Sequence, residues 1–176
     1  MHLYLIGYMG SGKSYWGPQF AEALGRPFWD LDAWVEDRAG CTISELFERE
    51  GEEGFRLREA EALGEVARSR EGGVVACGGG TPCWPGNWEV MESTGRTMWL
   101  RVDEGVLLDR LAGTGAGRPL LPGNGRDGEA LRAHLAERSA CYGRAHWVWE
   151  GPGEAGWPEA LRWVRKELGE GEQGSS

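Results

Sequence analysis

The residues with the plainest chemical purpose are Gly7-Tyr8-Met9-Gly10-Ser11-Gly12-Lys13-Ser14, which meet the pattern G-x-x-x-x-G-K-[ST] in full. Glycines at these positions let successive backbone N–H groups turn inward around an anionic phosphate. The helix that starts behind them adds its positive dipole end. Gly10, Ser11 and Gly12 supply the cradle, Lys13 reaches the β- and γ-phosphates, and the Ser14 hydroxyl ligates Mg²⁺. The apolar run Leu3-Tyr4-Leu5-Ile6 stands directly before the loop. A strand followed by a loop and a helix is the context that gives this pattern its meaning. This chain binds a nucleoside triphosphate.

The loop names the phosphate donor and leaves the acceptor open. Asp30 and Asp32 close a second strand-like segment, at the end where α/β folds keep their ligand crevice. One such carboxylate can sit in the Mg²⁺ shell while the other takes a proton from an attacking hydroxyl. Asp32 is equally well read as a helix N-cap, since Ala33-Trp34-Val35 follows it. Arg56, near a crevice, suits a bidentate carboxylate clamp, or it is one more solvated arginine. Gly78-Gly79-Gly80 behind a buried strand either lets a ligand touch the backbone or makes a tight turn. Arg118 lies in a Gly/Pro-rich stretch and suits stabilisation of a transferring phosphoryl group. Arg138 carries no signal of its own. His2, His134 and His146 lack metal-ligand spacing and receive no chemistry.

Strand-like and helix-like segments alternate along the chain, the sign of a parallel sheet covered by helices on both faces. Strands are expected over Leu3–Ile6, Pro27–Leu31, Val74–Cys77, Thr97–Val102 and His146–Trp149. Helices are expected over Lys13–Leu24, Ala33–Gly40, Ser44–Glu50 (capped by Ser44), Phe55–Arg70, Glu104–Leu111, Glu129–Tyr142 and Pro158–Leu168. Residues 112–128 read as a lid, residues 32–60 as the substrate-binding region, residues 1–168 as one domain and residues 169–176 as a frayed tail.

At 176 residues the chain is long enough to bury a core around one sheet. No segment approaches the ~18 apolar residues that span a bilayer, and Gly7 interrupts any secretion signal, so no membrane role and a cytoplasmic setting are expected. Cys41, Cys77, Cys83 and Cys141 show no C-x-x-C spacing and read as free thiols. A net charge of −9 argues against a nucleic-acid partner. It also requires any anion site to be built locally. The ten tryptophans follow no period and read as packing residues.

Taken together, these segments resemble the shikimate kinase family. The likeness rests on Gly7–Ser14, Asp30-Leu31-Asp32, Phe55-Arg56, Gly78-Gly79-Gly80, Arg118-Pro119-Leu120-Leu121 and Glu137-Arg138-Ser139-Ala140-Cys141-Tyr142, in the family's order and across roughly residues 3 to 165. It implies a three-layer α/β P-loop kinase fold with a five-stranded parallel sheet in the order 2-3-1-4-5. It implies transfer of the ATP γ-phosphate to the 3-hydroxyl of shikimate, with Mg²⁺, on the route to chorismate and the aromatic amino acids. By the same resemblance Asp32 binds shikimate hydroxyls and acts as the base, and Asp30 joins Ser14 at Mg²⁺. Arg56 and Arg138 clamp the carboxylate, and Gly78, Gly79 and Gly80 lie along the ring. Phe47 and Phe55 wall the pocket, Arg118 reaches the phosphates from the lid, and Arg110 lies against adenine. Tyr15 stands in the ATP loop where the family usually has threonine, and Pro18 stiffens the helix start. Neither removes a catalytic group.

Two other readings remain at this stage. Another small-molecule kinase of the same fold, acting on gluconate or a nucleotide, would also use an arginine clamp. A catalytically silent nucleotide-binding module would tolerate loss of Lys13, Asp32 or Arg118, yet all three are present. A monomer is expected.

Overall fold

The computed structural model describes residues 1–112 and 128–169. Five short apolar runs become the strands β1 (His2–Ile6), β2 (Phe28–Asp30), β3 (Val74–Ala76), β4 (Gly95–Arg101) and β5 (Trp147–Glu150). They form one sheet in the order β2-β3-β1-β4-β5, with every neighbouring pair parallel. Parallel neighbours require crossovers, and helices supply them. The helices are α1 (Lys13–Leu24), α2 (Leu31–Ala39), α3 (Ile43–Ala67), α4 (Asn87–Thr94), α5 (Glu104–Ala112), α6 (Gly128–Tyr142) and α7 (Trp157–Glu167).

Side chains of β1 show why both faces need cover. Leu3 and Leu5 point into a core made with Trp16 and Phe20 of α1 and with Ala160 and Val164 of α7. Tyr4 and Ile6 point the other way, into a core with Leu63 and Val66 of α3, Trp88 and Met91 of α4, and Tyr142 of α6. The two-residue repeat of a strand thus sorts consecutive apolar residues into two layers. Trp16, Phe20, Trp149 and Trp157 form one aromatic group between α1, β5 and α7, and Trp16 stacks on Trp157 at 5.5 Å.

Several boundaries differ from the sequence expectation for identifiable reasons. The two helices expected around residues 44–70 are one helix, α3, kinked at Gly51, whose φ of 72° only glycine adopts at little cost. Its cap is Thr42, not Ser44: the Thr42 hydroxyl accepts from the Glu45 amide while the Glu45 carboxylate accepts from the Thr42 amide. Helix α4 was not expected, because Pro85-Gly86 and a polar sequence hide an eight-residue helix. Pro18 is tolerated inside α1, which runs unbroken to Leu24. The expectation of four free thiols is also corrected. Cys83 and Cys141, 58 positions apart, are paired as a disulfide with a Cα–Cα distance of 5.5 Å, and Cys41 and Cys77 remain free. Spacing along the chain holds no record of that proximity. The lid expected over residues 112–128 and the tail over residues 169–176 fall almost wholly outside the described residues.

Candidate active site

The C-terminal ends of β1, β2 and β3 open into a cavity of about 510 Å³. Its lining includes Gly10, Gly12, Lys13, Ser14 and Tyr15 from the phosphate loop and Asp30 and Asp32 from the β2–α2 junction. Phe55, Arg56 and Glu59 enter from α3, Gly78 and Gly79 from the end of β3, and Arg110 from α5. Segments far apart in sequence therefore converge where a parallel sheet delivers all its strand ends to one edge.

In the loop, Gly10 and Gly12 have φ values of 80° and 96°, which point the backbone toward the cavity and start α1 directly behind it. The Lys13 ammonium donates to the carbonyls of Gly7 at 2.7 Å and Tyr8 at 2.9 Å. Desolvation lowers its pKa from the ordinary value, and the negative charge of Asp32 opposes that shift. Arg110 donates to the Gly10 carbonyl at 2.7 Å, so it is anchored to the loop's rim. Tyr15 is exposed and set edge-on to Trp16.

Asp30 divides its two carboxylate oxygens between separate tasks. Oδ1 caps α2 by accepting from the amides of Asp32 and Ala33, and Oδ2 accepts from the Ser14 hydroxyl at 2.6 Å. Thus Asp30, and not Asp32, is the helix cap. Asp32 is left in the cavity, where burial, then the charges of Glu59 and Asp30, push its carboxyl up to about 6.

Arg56 is buried, not solvated. It holds Glu59 at 2.7 Å and Glu52 at 3.4 Å. Glu59 is itself fully buried and accepts from the Thr81 hydroxyl at 2.5 Å. This packing explains the glycines. A Cβ on Gly80 would collide with the Arg56 guanidinium, and one on Gly78 would collide with the Glu59 carboxylate. Gly79 is different, facing the cavity with the Met9 amide nitrogen 3.6 Å from where a Cβ would stand.

Phe47 stands behind Phe55, with ring centroids 5.0 Å apart, and does not line the cavity. Arg138 is also outside the lining. It sits on α6, four residues from His134, whose Nε2 it meets through Nε at 3.2 Å. The same helix ends in Tyr142, whose hydroxyl donates to the Gly79 carbonyl. Arg118 lies outside the described residues. Sequence reasoning missed Glu59, Thr81, Tyr8, His134 and Tyr142. For Glu59 a local signal existed, the three-residue spacing to Arg56 on a helix. For the contact of Tyr8 with His134, 126 positions apart, none did.

Among the described residues, no group of three or more His, Cys, Asp or Glu is arranged to hold a metal. A hydroxyl and a carboxylate 2.6 Å apart beside a phosphate loop do fit Mg²⁺, which binds through one or two protein oxygens, phosphate oxygens and water.

A family model described as shikimate kinase matches residues 9–152. The shikimate kinase of Synechococcus sp. strain RCC307 is 46% identical over 144 residues, covering 82% of this chain and 72% of that protein. The shikimate kinase of Symbiobacterium thermophilum is 44% identical over 146 residues, covering 82% of this chain and 83% of that protein. Among solved structures, a shikimate kinase from Acinetobacter baumannii in complex with shikimate superposes with a TM-score of 0.84 at 34% identity, covering 98% of this chain and 95% of that one.

Proposed function

The chain belongs to the shikimate kinase family, and on that premise we propose how its own residues carry out the family's reaction. The enzyme is an ATP-dependent phosphotransferase that moves the γ-phosphate of ATP to the 3-hydroxyl of shikimate. What carries the residue assignment is that Asp32, Arg56 and Gly79 line the same cavity as Lys13 and Ser14. Donor and acceptor subsites then share a wall, as direct transfer requires.

Shikimate is a small anion bearing three hydroxyls, and each feature has a partner. Arg56 and Arg138 take its carboxylate, the Gly79 backbone approaches a ring hydroxyl, and Phe55, backed by Phe47, covers an apolar edge. Asp32 accepts the proton of the attacking hydroxyl. A carboxyl raised to about 6 is still ionised at neutral pH, yet is a stronger base than an ordinary aspartate.

Lys13 exchanges its loop carbonyls for phosphate oxygens, and the backbone of Gly10 to Gly12 supplies further donors. Ser14 and Asp30 hold Mg²⁺, which when bound neutralises charge on the phosphate oxygens. Arg110 lies beside the nucleotide, and Arg118 meets the phosphates from the segment beyond α5. Dependence on ATP supports a cytoplasmic setting, and a monomer suffices because every assigned residue comes from one chain.

The assignment is tested by titrating shikimate and ATP separately onto Arg56→Ala. The expected result is a shikimate Kd raised by roughly 10- to 100-fold, the loss of a charge-assisted contact, with the ATP Kd within about twofold of wild type. Unchanged shikimate binding would remove Arg56 from the clamp.

A further inference from the structure

A line of polar contacts runs from the phosphate loop to Arg138. Tyr8, inside the loop, is buried, and its hydroxyl lies 2.7 Å from His134 Nδ1. The two rings meet nearly edge-on, at 5.6 Å between centroids and 73° between planes. On the far side of the imidazole, Nε2 is 3.2 Å from Arg138 Nε. Arginine can only donate, so Nε2 must accept. That fixes the tautomer: the single proton of neutral His134 sits on Nδ1 and is donated to the Tyr8 oxygen.

We propose that neutral His134 is a positioning residue for shikimate binding, holding Arg138 by its Nε–H so that the two terminal nitrogens face the substrate carboxylate. The inference rests on the assignment of Arg138 to the carboxylate clamp made above. Among the described residues those terminal nitrogens have no other hydrogen-bond partner. A guanidinium held at Nε presents its remaining edge as a rigid fork, the geometry a carboxylate accepts in a bidentate way. Through Tyr8 the same imidazole links the acceptor clamp to the loop that cradles the donor phosphates.

Protonation undoes the arrangement. His134 with two N–H groups presents a donor to the Arg138 donor, and the two cations repel. The groups facing the imidazole come from every element around it. Arg138 and Glu137 lie on its own helix, Glu52 and Arg56 on α3, and Tyr8 on the loop. Burial, then the Arg138 charge, lower the His134 pKa from its ordinary value, while Glu137 and Glu52 pull the other way. The contact is therefore intact at neutral pH and opens as pH falls through a value below that of a free histidine. Tyr8 stays protonated throughout, since burial pushes its hydroxyl up to about 12.

The test is shikimate Kd by calorimetry from pH 5 to 8, on wild type, His134→Gln, His134→Ala, Tyr8→Phe and Arg138→Ala. At pH 7.5, His134→Ala should weaken shikimate binding by roughly 5- to 20-fold and leave the ATP Kd within about twofold. His134→Gln restores an acceptor for Nε–H and should recover most of the loss, which a merely space-filling role would not explain. Its Kd should also lack the acid limb attributed to His134. Tyr8→Phe, which keeps the ring, should shift shikimate affinity in the same direction by a smaller factor.

Wild-type affinity and an unaltered pH profile in His134→Ala would overturn the inference. If Arg138→Ala weakens shikimate binding while His134→Ala does not, the clamp stands and the positioning role falls. Unchanged binding in Arg138→Ala would bring down the clamp assignment itself.

Discussion

Asp30 accepts the Ser14 hydroxyl at 2.6 Å with one carboxylate oxygen and caps α2 with the other. The phosphate loop and the helix that carries Asp32 are thereby fixed to a single side chain. On the proposed assignment Ser14 belongs to the donor subsite and Asp32 to the acceptor subsite, so the relative placement of the two reacting groups depends on this carboxylate.

The two tasks of Asp30 are separable. Asp30→Ala removes the cap and the proposed metal contact together, costing about 1 kcal/mol of stability and lowering Tm by roughly 2–4 °C. It should also raise the Mg²⁺ concentration needed for half-maximal turnover. Asp30→Ser keeps a good cap and should recover the Tm while the Mg²⁺ requirement stays high. Recovery of both by serine would argue that the carboxylate has no role at the metal.

As the proposed base, Asp32 should give the reaction an acid limb. With the carboxyl at about 6 in the free enzyme, kcat/KM for shikimate should fall about tenfold per pH unit well below that value and be flat above pH 7. Asp32→Asn should lose roughly 10²–10⁴ in turnover while binding ATP normally. Stability carries the opposite sign. A carboxyl raised above its unfolded value favours folding below that value, and the contribution is lost as pH rises through about 6. Asp32→Asn should therefore be more stable than wild type at pH 8, with the advantage shrinking toward pH 4. Urea titrations at the two pH values measure it.

Gly80 should be intolerant of a methyl group for a reason unrelated to turn geometry. Its Cβ would meet the Arg56 guanidinium, which is itself fixed by Glu59. Gly80→Ala should cost about 1–3 kcal/mol in stability by overpacking. It should also raise the shikimate KM by more than the ATP KM, as steady-state kinetics with each substrate varied in turn would report.

The Cys83–Cys141 bridge joins the end of the glycine segment to α6 and closes a loop of 58 residues. By the chain-entropy relation, opening it costs about 4 kcal/mol, or roughly 10 °C in Tm. Thermal melts with and without a reductant, beside Cys83→Ser, measure this. Identical melts in all three would mean that the pair is not joined in solution.

The site's chemistry was legible where local sequence sets local geometry. The phosphate loop needs glycines and a lysine in series, and β1 needs a short apolar run before them, so both can be read along the chain. Asp30 and Asp32 were singled out, but which of them caps α2 was left open, because a two-residue difference decides which carboxylate reaches the helix amides. The burial of Arg56 was invisible for another reason. In a chain with many arginines the type carries little information, and only packing against the distant Gly80 separates this one from solvated ones. Contacts between distant segments, Tyr8 with His134 and Cys83 with Cys141, leave no trace in spacing at all. Helix α4 went unseen because a polar eight-residue helix has too few turns to show a period.

The most direct test of the account is ADP release with MgATP, offering shikimate, gluconate and nucleoside monophosphates side by side to the wild type and to Asp32→Asn. The account predicts turnover by the wild type with shikimate alone, reduced by at least about a hundredfold in Asp32→Asn. Equal turnover with another acceptor, or an undiminished rate without the Asp32 carboxylate, would contradict it.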